Sequence, residues 1–216
     1  MYKYQNIRNM HIEITERCQA ACPMCDRNIK GKGINPHLSM SELKLNDFQE
    51  MFEEDFWQNL KAIQFCGNYG DPIIAEDLLE VIKYIRQFNE KVFIGINTNA
   101  GAREPEWWAE LANAIGKHGY VIFSVDGLED TNHLYRQGVQ WNKVKRSMES
   151  YIGAGGRARW DFIVFEHNEH QVEQARKLSE DMGFETFIVK KSSRFVINNS
   201  AKKEEHEFFN KKGNKK

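Results

Sequence analysis

The chain has 216 residues, of which 41% are hydrophobic and 14 are Phe, enough apolar material for one packed core. Its 30 Lys and Arg almost cancel 31 Asp and Glu, which excludes a global field for non-specific nucleic-acid binding or for an anionic membrane surface. No apolar run approaches the ~18 residues of a membrane span, and the N-terminus lacks a signal-peptide core, so a cytoplasmic protein is expected.

In chain order, the first predicted element is a strand, MHIEIT (10–15), with His11 alternating against Ile12 and Ile14. Three of the four cysteines follow at once in CQAACPMC (18–25), spaced C-x3-C-x2-C. A helix over 46–59 leads to a second strand, AIQFCG (62–67), and the turn GNYGDP. A helix over 76–89 carries Leu78, Val81, Ile82 and Ile85 on one face. The third strand, VFIGINT (92–98), precedes a helix over 105–117 that begins at Pro105 and stops at Gly116. Strands YVIFSVD (120–126), WDFIVF (160–165) and ETFIVKK (185–191) alternate with helices over 141–152 and 169–182, the last ended by Gly183. Strands that are nearly all apolar and alternate with helices pair in parallel with both faces covered. Six such repeats make either a partial barrel or an open doubly wound sheet, and both gather ligands at the C-terminal strand ends. The core is expected over 1–200. The tail, 201–216, holds six Lys and three Glu and is expected to be disordered.

The clustered cysteines argue for metal rather than disulfides, which small secreted domains favour. Pro23 disfavours helix at the residue before it, so the loop wraps and can aim Cys18, Cys22 and Cys25 at one point. Structural zinc would need a fourth protein ligand, such as Cys66, His11 or His37. An iron–sulfur cube also normally takes four cysteines; three would leave one iron open to an outside molecule. Cys66 itself, ending the second strand, is expected to be a packing residue, since free cysteine is usually buried.

C-x3-C-x2-C after the first strand of a βα repeat resembles the radical S-adenosylmethionine (SAM) superfamily. The resemblance covers about residues 8 to 192. It implies an α/β fold, a partial (β/α)6 TIM-like barrel of parallel strands. It also implies one [4Fe-4S] cluster on Cys18, Cys22 and Cys25, with SAM on the fourth iron. Reductive cleavage of SAM would yield methionine and a 5′-deoxyadenosyl radical that takes hydrogen from a substrate. By the same resemblance Met24 stands beside the adenine, where relatives often carry an aromatic. GNYGDP looks like a variant of the glycine-rich segment that meets the SAM amino group, with Gly70 and Asp71 in place. Thr98 and Asn99, in INTNAG, match a strand-end motif facing the ribose or methionyl part. Ser124 and Arg136, in FSVDG and HLYRQG, match the carboxylate contacts, while Asp126 braces the turn. Val164, Asn168 and Lys190 are placed near adenine or substrate, and Asn168 reads equally as a helix N-cap.

The implied reductant is a flavodoxin or ferredoxin, because SAM cleavage needs the low end of the cluster potential range. GNYGDP and SVDG…YR look most like the branch that matures peptides. No cysteine follows Cys66, so the cysteine-rich C-terminal extension of that branch is missing and a single cluster is expected. A peptide or protein substrate is favoured. The alternatives are an activase that installs a glycyl radical on a partner enzyme, and a non-catalytic zinc or iron–sulfur protein.

Overall fold

A computed structural model describes residues 3–192; the tail at 201–216 lies outside the described residues. Six strands form one sheet in the order β1 to β6: Asn9–Ile12, Ala62–Phe65, Phe93–Thr98, Gly119–Ser124, Ala158–Ile163 and Thr186–Lys190. Every neighbouring pair is parallel, and β1 and β6 are the sheet's edges. Helices occupy the connections: α1 (Leu45–Met51), α2 (Glu54–Asn59), α3 (Leu78–Phe88), α4 (Pro105–Ile115), α5 (Asn132–Tyr135), α6 (Trp141–Gly153) and α7 (Val172–Met182). This is the partial (β/α)6 barrel expected, built from parallel strands.

Alternation along each strand separates two faces. Ile63 and Phe65, Ile94 and Ile96, and Val121 and Phe123 point outward and are fully buried under the helices. The α3 stripe of Leu78, Val81, Ile82 and Ile85 is buried as its spacing predicts. Trp108 of α4 lies over Phe123, their ring centres 5.6 Å apart, and Tyr151 of α6 meets the same ring at 5.7 Å. The inward face is polar: Gln64 Nε2 donates to Asn97 Oδ1 at 2.6 Å, and Asp161 receives both Arg159 and Lys190. Lys190 is therefore engaged by Asp161 rather than left open beside an adenine.

Pro105 opens α4 and Gly116 and Gly183 cap α4 and α7 with positive φ, as read from the sequence. Most element ends shift by one to three residues, and two differences are larger or have a visible cause. The helix expected over 46–59 breaks at Phe52 and Glu53, both extended. Across the break Phe52 lies 4.6 Å from Phe56 and 5.0 Å from Trp57. Strand β1 ends at Ile12 instead of residue 15, because Thr15 leaves the sheet to bridge Glu42.

Candidate functional site

The cysteine loop leaves β1 and is pinned from three strand ends. Asp71 N–H, after β2, donates to Arg17 O at 2.9 Å, the residue just before Cys18. Asn99, after β3, reaches Cys18, and Gln137, beyond β4, accepts from Ala21 N–H at 2.8 Å. Gly70 makes the first of these contacts possible: a Cβ there would lie 1.8 Å from Thr15 O. The turn therefore tolerates only glycine at this point, because the obstacle is backbone.

Asp71 is buried, and its carboxylate serves the scaffold. Oδ2 accepts from Asn99 N–H at 2.8 Å and Thr98 Oγ1 at 3.1 Å, and Oδ1 accepts from Ile73 N–H at 3.3 Å. Burial pushes its pKa from 3.8 up to about 6, against the pull of these donors. A carboxyl that binds its proton more tightly when folded favours the fold below pH 3.8 and loses that contribution as pH rises through about 6. The wild type should therefore lose about 2 kcal/mol relative to Asp71→Asn between pH 4 and 7. Denaturant unfolding of both metal-free proteins at each pH checks this; parallel curves would refute it.

On the β4 side, Arg136 donates from Nε to Asp126 Oδ2 at 2.7 Å, and its NH2 group lies 2.7 Å from the same oxygen. Burial opposes the guanidinium's charge, but Asp126 and then Cys22 outweigh it, so Arg136 is held protonated. Asp126 is braced again by Ile163 N–H at 2.7 Å on Oδ1. Burial raises its pKa, and Arg136 opposes that. Asn168 Nδ2 ties Asp126 O to Ile163 O at 2.7 and 2.9 Å. Asn168 is thus a fully buried clamp between the ends of β4 and β5 and makes no side-chain cap bond.

These elements enclose a cavity of about 280 Å³ at the C-terminal strand ends. Nine of the residues singled out in the sequence line it: Cys18, Cys22, Cys25, Gly70, Asp71, Thr98, Asn99, Ser124 and Arg136. Met24, Asp126, Val164, Asn168 and Lys190 are not among the lining residues, and Met24 packs half-buried against the core. Cys66 also lines the cavity, which corrects its reading as packing, and Asn97 and Tyr135 join it. Asn97 was visible in principle, since alternation along β3 puts it on the inward face with Gly95.

The donor set fits an iron–sulfur cluster. All four cysteines are free thiols. Among the described residues no three His, Cys, Asp or Glu side chains converge as a single ion requires, so Cys18, Cys22 and Cys25 share a cavity rather than a point. A cube takes its thiolates on separate irons, so thiols spread around one cavity suit it. Burial, joined by the charge of Asp71, pushes the Cys18 thiol up to about 12. Burial raises Cys22 as well, with Arg136 opposing it. A metal must displace these protons to bind.

The radical SAM superfamily model matches residues 12–179, from the last residue of β1 into α7. The chain belongs to the radical SAM superfamily. Radical SAM enzymes use a [4Fe-4S] cluster and SAM, and need a reductant. A probable GTP 3′,8-cyclase of Thermococcus kodakarensis is 25% identical over 172 residues, covering 74% of this chain and 53% of that protein. Streptococcus suis SuiB bound to S-adenosylmethionine superposes with a TM-score of 0.67 at 15% identity, covering 87% of this chain and 41% of SuiB. SuiB bound to its precursor peptide SuiA gives 0.68 at 16%, covering 92% and 42%. The chain spans about half the length of these relatives. Among the described residues no helix is long and apolar enough to cross a membrane.

Proposed function

We propose that this radical SAM protein reductively cleaves SAM at a [4Fe-4S] cluster held by Cys18, Cys22 and Cys25, and acts on a peptide or protein. The observation that carries the cluster assignment is the meeting of three thiols in one cavity at the C-terminal strand ends. A [4Fe-4S] cluster held by Cys18, Cys22 and Cys25 would supply the electron for reductive cleavage of SAM, the chemistry that sets up hydrogen abstraction from a substrate. The chain's own residues bind and orient. Gly70 offers backbone at close range for the amino group, and Asp71 fixes the turn that presents it. Arg136, held by Asp126, and Ser124 take the carboxylate, for which a guanidinium fork is suited. The electron donor is a one-electron carrier of flavodoxin or ferredoxin type.

The peptide reading is supported by the GNYGDP and SVDG…YR neighbourhoods. A nucleotide reading is favoured by the sequence likeness to a probable GTP 3′,8-cyclase. Anaerobically reconstituted protein given dithionite and SAM is expected to yield 5′-deoxyadenosine; none from a fully loaded cluster would defeat the proposal. Stimulation of that yield by GTP, but by no peptide, would replace the peptide reading with the nucleotide one.

A further inference from the structure

Asn99 occupies a strand-end position suited to a SAM contact, yet its side chain is committed elsewhere. Its Oδ1 accepts from Gly101 N–H at 2.8 Å and from Gln19 Nε2 at 2.5 Å. A backbone N–H can only donate, so the oxygen must face Gly101 and the amide nitrogen must face away. That nitrogen lies 3.4 Å from Cys18 Sγ, and Ala20 N–H lies 3.4 Å from the same sulfur. Gln19 Oε1, 3.8 Å away, receives the thiol proton that a metal would displace. Gly101 allows the arrangement to close: a Cβ there would come 2.5 Å from Gln19 Nε2 and 2.9 Å from Asn99 Oδ1. From the other side Asp71 Oδ2 holds Asn99 N–H at 2.8 Å. The residue is buried and fixed at three points, with one donor left to aim, and it aims at sulfur.

We propose that Asn99 is a positioning residue that donates its side-chain N–H to the Cys18 thiolate and raises the reduction potential of the cluster, rather than a contact for SAM. This rests on the reading of Cys18 as a cluster ligand. A hydrogen bond to a ligand sulfur stabilises the reduced cluster, which carries one more electron, more than the oxidised one. Gln19 and Gly101 act one step further out, by fixing which way the amide points.

The test uses anaerobically reconstituted wild type, Asn99→Ala, Asn99→Asp and Gln19→Ala, all without SAM. Iron content is measured first, and the reduced cluster is then counted by electron paramagnetic resonance at a fixed poise. In Asn99→Ala the ratio of reduced to oxidised cluster is expected to fall about tenfold, or about 59 mV for one electron. Asn99→Asp keeps an acceptor for Gly101 and Gln19 but puts an anionic oxygen where the donor was, so the ratio should fall there by more than in Asn99→Ala, loss of the donor and added charge acting together. Gln19→Ala, which frees the amide, should give a smaller fall. If Asn99→Ala fails to hold iron, the other two variants decide. A lowered ratio supports the inference whatever happens to SAM affinity. An unchanged ratio in iron-loaded variants overturns it, and a tenfold loss of SAM affinity alongside would return Asn99 to the SAM contact. A wild type that takes up no iron would sink the cluster reading itself, which keeps the two failures apart.

Discussion

Replacing Cys22 with alanine is expected to leave a folded protein that no longer holds iron. Cys22 is buried, and trimming its sulfur removes apolar contact worth about 1 kcal/mol, too little to unfold a domain with a core of this extent. The loop keeps its backbone bonds to Gln137 and Asp71. Iron content, the brown charge-transfer absorption and 5′-deoxyadenosine formation should be lost together, while the unfolding midpoint moves little. Cys66→Ala is the companion measurement. Cys66 lines the same cavity, so it is the remaining cysteine from which a fourth protein ligand could come. With three-cysteine ligation, Cys66→Ala keeps its iron. Equal iron loss in both variants would mean that the polypeptide closes the cluster itself, with no iron left for SAM.

Arg136→Ala is expected to cost stability as well as function. Removing one member of a buried ion pair leaves an uncompensated charge, at about 3–5 kcal/mol. Among the described residues Asp126 would retain only Ile163 N–H as a donor to its carboxylate, in a site with no exposure. Without Arg136, burial would raise the Asp126 pKa further, so the deficit should shrink as pH falls and the carboxyl takes up its proton. Adding Asp126→Asn should recover much of the loss without restoring SAM binding. Denaturant unfolding of the single and double variants, with SAM binding measured on the folded fraction, checks this. A single variant as stable as the wild type would show that the pair is not the brace described.

Short-range chemistry was legible before any coordinates. The cysteine triplet, the glycine that admits Thr15 O, and the polar residues closing β3 and β4 each sit in a few consecutive positions, and the cavity gathers them. What stayed hidden was set by partners distant in sequence. The Asn99 amide meets Gln19, 80 residues away, and Cys18, 81 residues away. Asn168 looked like a cap because polar helix formers follow it, but the acceptors that claim it belong to Asp126 and Ile163. Met24 has the bulk and polarizability to cover a purine, and packing against the core decided its place instead. The α1–α2 break at Phe52 and Glu53 has no Gly or Pro to announce it.

The pinning of the cysteine loop also sets an order of assembly. Asn99 meets Cys18 across 81 residues, and Gln137 meets Ala21 across a still longer stretch, so no early fragment of the chain presents the three thiols in their final places. Iron capture would then report on completion of the β1–β4 part of the sheet, and metal uptake during refolding becomes a clock for that event.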